Sequence, residues 1–262
     1  MNNLRKYGRP PYCVAVIHGG PGTPGEMAPL ARQLAPLCGV LEPLQTADSM
    51  EGQVEELASV LKKDAAIPAT LIGFSWGSLL VLLTATRYPE MVDKLILVSS
   101  PPFEEKYATS IMEKRLERLN AEERNEVAYL RGGIENLCAK EKNEKFARLG
   151  KLLAVADSFD ALTLDDEVLE YQYEVYKKVW PKAAELRRRG LLKMAGKIQC
   201  SVVAIHGDYD SHPNEGVREP LSRVVNDFRF ILLEKCGHYP WRERLAKDRF
   251  FEVLREEVRI GK

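Results

Sequence analysis

Hydrophobic positions in this chain follow two alternating rhythms. Short, nearly continuous apolar runs occur at Cys13-Val14-Ala15-Val16-Ile17, residues 40–44, Ala69-Thr70-Leu71-Ile72, residues 94–100, Ser201-Val202-Val203-Ala204-Ile205 and residues 228–233. Each reads as a strand buried on both faces. Between them the apolar residues recur at helical spacing. Met27, Leu30, Ala31 and Leu34 follow a capping-box pair, Thr23 and Glu26; Val54, Leu57, Ala58 and Leu61 follow Asp48 and Glu51. Residues 78–85 form a helix without a breaker, closed near Pro89; another helix spans about 216–225, and a last amphipathic one carries Phe250, Phe251, Leu254 and Val258. Strand and helix in alternation predict an α/β fold, a mostly parallel sheet of about six strands with right-handed crossovers and helices on both faces.

The alternation stops between residues 103 and 196. This stretch is charge-rich, with helical patterning and no strand candidate. Asn120 and Glu123 open one helix that Gly132-Gly133 ends; Thr163 and Asp166 open another that runs to Trp180-Pro181. The expected organisation is a core domain of residues 1–102 and 197–262, interrupted by a helical cap, or lid, of residues 103–196. No linker or internal repeat divides it further.

Composition alters this picture little. The 262 residues are 45% hydrophobic, enough for one sizeable core. Lys and Arg balance Asp and Glu at 38 each, which gives no electrostatic reason to expect nucleic acid or an anionic membrane as partner. A small-molecule substrate is expected instead. Cys13, Cys38, Cys138, Cys200 and Cys236 are odd in number and widely spaced, reading as free thiols of a reducing cytoplasm. The polar N-terminus, with Arg5, Lys6 and Arg9, and the shortness of the run after it predict neither signal peptide nor membrane span.

Candidate chemistry centres on Gly73-Phe74-Ser75-Trp76-Gly77, set between a strand and a helix. A serine hydroxyl is a weak nucleophile until a base takes its proton, and a sharp strand-to-helix turn exposes it to one. Glycines two before and two after leave room for that turn, and the helix N-terminus favours developing negative charge. The bland alternative is a tight turn with an incidental serine. A second glycine-rich loop, His18-Gly19-Gly20-Pro21-Gly22, follows the first strand. Backbone N–H groups there and at Trp76 could hold an oxyanion, with Gly20 favoured as donor and Gly19 the near alternative.

Of four histidines, His238 alone lies after the last strand and before the final helix, where a general base for Ser75 belongs; His18 sits in the glycine loop, His206 at a strand end, His212 in a turn. The acid orienting His238 should follow the preceding strand. The loop His206-Gly207-Asp208-Tyr209-Asp210-Ser211-His212-Pro213 offers Asp210, farther out and favoured, and Asp208, which suits a turn. Glu104 or Glu105 is a remote alternative. The same loop could be drawn as a metal cluster of His206, Asp208, Asp210 and His212, but its spacing fits no ordinary ligand pattern, and neither metal nor cofactor is expected.

These segments, with Gly207-Asp208-Tyr209-Asp210, Pro213 and Gly237-His238, resemble the α/β-hydrolase family, and within it the proline iminopeptidase-like branch. The resemblance spans the whole sheet domain. It implies a serine hydrolase with nucleophile Ser75, acid Asp210 (three residues after the glycine) and base His238, and it implies a variable helical lid over the site. With only about a dozen residues before the first strand, the family's two extra N-terminal strands are expected to be missing. The glycine loop also resembles that of the C–C bond hydrolase branch, so ester, amide and C–C cleavage, lyase chemistry, aminopeptidase activity and a non-catalytic ligand receptor all stay open. Glu170 and Glu174, beside Tyr171 and Tyr173, could bind a substrate amine but read better as a solvated helix face. Ile111, Leu116, Leu119, Leu149, Leu152 and Tyr176 read as packing within the lid.

Overall fold

The computed structural model describes residues 3–162 and 167–260. Seven strands form one sheet: β1 (Leu4–Tyr7), β2 (Tyr12–Ile17), β3 (Gly39–Pro43), β4 (Ala69–Phe74), β5 (Val92–Val98), β6 (Ser201–Gly207) and β7 (Phe228–Leu233). Their spatial order is β1-β3-β2-β4-β5-β6-β7, with every pairing parallel except β1 against β3. Because side chains alternate across a strand, the continuous apolar runs feed two separate cores. Ala15, Leu71, Leu95 and Ala204 enter one; Val16, Ile72, Ile96 and Ile205 enter the other. The first core is covered by α2 (Met50–Asp64), α3 (Trp76–Arg87) and α9 (Glu215–Val224), the second by α1 (Ala28–Leu34) and α10 (Lys247–Ile260).

All six expected strands are present, and β1 is a seventh. One N-terminal strand therefore exists where none was expected. Its sequence, Leu4-Arg5-Lys6-Tyr7, has no apolar run because it is an edge strand only partly buried. It covers β3, where the wholly buried Glu42 accepts a hydrogen bond from the Tyr7 hydroxyl (2.7 Å) and faces Arg5 (3.5 Å).

Two helix starts differ from their sequence signals. Thr23 and Glu26 form no capping box. The Thr23 hydroxyl turns back to the Gly20 carbonyl (2.8 Å), while the buried Glu26 carboxylate accepts from the Gly19 N–H (3.0 Å). Asp48 does not cap α2 either: Ser49 does, accepting from the Gly52 N–H at 3.1 Å, and Asp48 pairs with Lys178 (2.5 Å). In both cases a polar side chain with a capping identity found a stronger partner elsewhere in the fold.

Between β5 and β6 the chain forms α4 (Ile111–Glu117), α5 (Ala121–Arg131), α6 (Ala139–Ala156), α7 (Tyr173–Arg189) and α8 (Leu191–Ala195). The α5 capping box forms as expected, with Asn120 and Glu123 exchanging hydrogen bonds at 2.9 Å. Leu119, Val127, Leu130, Leu152 and Ala156 make a small core of their own between these helices. The helix start expected at Thr163 and Asp166 lies outside the described residues. Its expected end at Pro181 is wrong, since α7 passes through Pro181 to Arg189. Proline costs a helix interior about 3 kcal/mol. Here Val179 and Ala183, on either side of it, are buried against the sheet core, and that packing holds the helix together. Among the described residues, no helix is long and apolar enough to cross a membrane.

Candidate active site

β4 is buried along its whole length and delivers the chain to Ser75, which stands between it and α3. Ser75 has φ 49° and ψ −117°, a region that L-residues avoid, at a cost of about 1–3 kcal/mol. Its N–H donates to the Val98 carbonyl (2.9 Å), which ties the turn to the end of β5. The flanking glycines are required by space. A Cβ on Gly73 would stand 2.3 Å from the Gly77 carbonyl oxygen, and one on Gly77 would stand 2.4 Å from that of Ile17. Both obstacles are backbone, which cannot rotate away. Gly77→Ala should therefore push α3 off β2, lowering the thermal unfolding midpoint by about 3–10 °C and displacing Ser75. An unchanged midpoint in differential scanning fluorimetry would contradict this packing.

Ser75, Gly20 and His238 line one cavity of about 670 Å³, within the range of small-molecule sites. The Gly19 N–H is already engaged by Glu26, whereas Gly20 lies in the cavity wall. Trp76 is the first residue of α3, where a backbone N–H has no partner within the helix. Its indole is buried on the core side and donates to Gln53 (2.9 Å).

The structure brings Asp210 and His238 together. His238 Nδ1 donates to Asp210 Oδ2 at 2.7 Å, and the His238 ring packs on Phe74 with centroids 5.0 Å apart. Asp208 has the structural role its loop position suggested: its Oδ1 accepts from the Cys236 N–H (3.1 Å), joining the loops after β6 and β7. Glu104 pairs with Arg223 and Glu105 with Arg187, so neither serves His238. Glu174 pairs with Lys142, Glu170 is exposed, and neither lines the cavity. Leu149 and Tyr176, expected as packing, do line it.

Several residues of this centre carried no signal in the sequence. His212, which read as a turn residue, donates from both its backbone N–H and its Nδ1 to Asp210 Oδ1, each at 2.9 Å. Its ring stacks on His238, centroids 4.5 Å apart. Asp210 is thus held between two imidazoles, and His206 Nε2 donates to the His212 carbonyl (2.9 Å) behind them. Asp157, at the end of α6, accepts the His238 N–H on its carbonyl (2.8 Å). Its carboxylate takes Arg115 from α4 (Nε 2.8 Å, Nη2 2.5 Å) and the Ser211 hydroxyl. Asp157 and Arg115 come from different helices of the insertion, 42 residues apart, a convergence that no local pattern records.

The electrostatics divide the histidines into two kinds. Burial penalises a charged His238, but the Asp210 charge and hydrogen bond, with Asp157 beyond, outweigh it and raise its pKa. Burial likewise opposes a charged Asp210, yet His238 and His212 hold it well below the usual carboxylate range. His212 is pushed down to about 4 by burial and so is neutral near pH 7. Only one of the two imidazoles on Asp210 is therefore suited to accept a proton. Asp210, His212 and His238 also place possible ligand atoms within 4.8 Å of one another, the geometry in which a metal could be held. Their mutual hydrogen bonds account for that closeness.

A family model described as alpha/beta hydrolase fold matches residues 66–241, more than half of the chain. No curated protein matches it significantly. Among solved structures, VinJ superposes with a TM-score of 0.68 at 17% identity, covering 99% of this chain and 95% of that one. A meta-cleavage product hydrolase from Pseudomonas fluorescens IP01 gives 0.65 at 16% (99% and 94% covered), and a thermophilic esterase from Thermogutta terrifontis gives 0.65 at 19% (98% and 93%).

Proposed function

This chain belongs to the alpha/beta hydrolase fold family, and from that premise we propose that it is a serine hydrolase cleaving an ester, amide or related acyl bond of a small molecule. The observation that carries the reading is the 2.7 Å hydrogen bond from His238 Nδ1 to the buried Asp210, with His238 and Ser75 on one cavity. With its Nδ1 proton committed to Asp210, neutral His238 keeps its lone pair on Nε2. That nitrogen takes the Ser75 proton as Oγ attacks the substrate carbonyl. The N–H groups of Gly20 and Trp76 receive the oxyanion. His238 then gives its proton to the leaving group; in the second step it draws a proton from the water that attacks the acyl carbon and returns it to Ser75 Oγ as the acyl–oxygen bond breaks. Residues 103–196 act as the cap whose helices select the substrate.

An aminopeptidase of the proline iminopeptidase kind finds less support. Among the described residues, the carboxylates of the cavity wall are Glu26, engaged by the Gly19 N–H, and Asp157, engaged by Arg115 and Ser211, so a substrate ammonium would compete for both.

Fluorophosphonate labelling read by mass spectrometry tests the nucleophile: the adduct is expected on Ser75, and its absence would count against the proposal. The pH profile tests the base. Since His238 is raised above 6.5, kcat/KM should rise with pH through a midpoint above that value, as the proton leaves Nε2. A midpoint below 6 would contradict the role given to Asp210.

A further inference from the structure

Among the described residues that line the cavity, cations outnumber acids. Arg115 on α4, Arg131 at the end of α5, Lys151 on α6 and Arg242 beyond β7 all line it. Elsewhere on the insertion, cations meet acids: Lys142 meets Glu174, Arg148 meets Glu126, Lys177 meets Glu135, and Arg187 meets Glu105. Among the described residues, Arg131, Lys151 and Arg242 have no carboxylate within salt-bridge distance; Arg242 lies instead over the Tyr239 ring at 5.0 Å. Arg115 uses one edge of its guanidinium, Nε and Nη2, on Asp157. Nη1 brings two further N–H donors that make no hydrogen bond among the described residues. Among the described residues, the acids of the wall are Glu26 and Asp157, and both are already engaged.

We propose that the cavity recognises an anionic group on its substrate, a carboxylate in the first instance, with Arg115 as the inner contact and Arg131 and Lys151 at the open rim. The proposal rests on reading this cavity as the substrate site. Three successive helices each bring one cation to it, and a guanidinium with a free edge is suited to a planar oxyacid. Arg115 is largely buried, with only 15% of its side chain exposed, whereas Arg131 and Lys151 are exposed. The arrangement draws an anion from solvent toward a poorly hydrated donor pair, where the contact is strongest. The same cavity also has aromatic surface: Phe146 and Tyr176 pack with centroids 4.8 Å apart, and Trp180 stacks on Tyr176. An anion carried on an apolar or aromatic body suits this lining of cations and aromatic rings.

Isothermal titration calorimetry with 3-phenylpropanoate, 3-phenylpropanamide and 3-phenylpropylamine tests this, because the three differ in little but charge. The carboxylate should bind at least about tenfold more tightly than the amide at low ionic strength, the factor for one good charge-assisted contact. The amine should bind most weakly, and 0.5 M NaCl should narrow the gap, as roughly expected of charges near solvent. The double variant Arg131→Gln, Lys151→Gln should lower the carboxylate-to-amide ratio severalfold while Arg115 keeps part of the preference. Arg115 is left in place because its loss would strand Asp157 as a buried charge. An amide or amine that binds as well as the carboxylate, no saturable carboxylate binding, or a ratio indifferent to the two substitutions would each overturn the proposal. Fluorophosphonate labelling of the same preparation separates the two readings. Labelled protein without charge preference removes only the anion assignment; unlabelled protein with that preference removes only the serine hydrolase.

Discussion

Replacing Ser75 by alanine is expected to lower turnover of an activated ester by about four to six orders of magnitude, the scale on which triad enzymes lose activity with their nucleophile. The change removes one oxygen at a residue whose backbone is fixed from both sides. The Ser75 N–H is bonded to Val98, and its carbonyl accepts from the Ser78 N–H at 2.9 Å. Alanine meets the same restriction at φ 49° as serine, so the fold should be retained with little change in thermal midpoint. The loss should appear in kcat more than in KM, because Oγ bonds to the substrate only as the reaction proceeds. A panel of p-nitrophenyl esters and aminoacyl p-nitroanilides, assayed with both proteins, checks the effect and separates esterase from aminopeptidase. Variant activity within tenfold of the parent would show that Ser75 is not the nucleophile.

Asp210→Asn should cost about 10⁴-fold in kcat. An ionised Asp210 accepts from His238 Nδ1 on one oxygen and from His212 on the other. An amide has one acceptor oxygen and offers N–H donors at its other end. If the oxygen stays on His212, the amide N–H group faces His238 Nδ1. The His238 proton must then move to Nε2, and the ring can no longer accept from Ser75. The charge change acts in the same direction. Asp210 is the main reason that the His238 pKa is raised, so its removal should shift the rising limb of any residual activity to lower pH. His212→Asn, which retains a side-chain donor toward Asp210, should lose far less. Equal losses in the two variants would mean that the two imidazoles share the base role. Steady-state kinetics from pH 5 to 9 on the three proteins make the comparison.

What was legible in the sequence follows from how local each signal is. The five inner strands read as continuous apolar runs because each is covered on both faces, so their residue types report their position directly; β7, at the other edge, is only partly buried yet keeps an apolar run. Edge strand β1 lies at the margin of the sheet, and its polar alternation concealed it. The glycines around Ser75 were readable because backbone stands where their side chains would be, and that demand holds wherever the turn occurs. Loop positions after β6 and β7 pointed to Asp210 and His238, since strand order alone brings those loops side by side.

His212 was visible as a residue but not as a partner. Its contact with Asp210 depends on how the three residues from Asp210 to His212 fold back on themselves, and histidine is equally at home in an exposed turn. Arg115 and Asp157 are 42 residues apart, on helices whose sequence shows only amphipathic patterning. Their pairing exists because the insertion folds over the carboxyl ends of the strands. Glu26 shows the reverse case. Its spacing from Thr23 matched a capping signal, but the buried Gly19 N–H offered a stronger need for its charge.

By itself, then, the sequence determined the sheet, the strained turn at Ser75 and the order of the three residues around which the proposed chemistry is built. Each of these depends on neighbours in the chain or on which strand a loop follows. Tertiary structure decided which imidazole on Asp210 can take a proton and which charges line the cavity. Burial and long-range pairing set those properties, and they arise only when distant helices close over the same cavity.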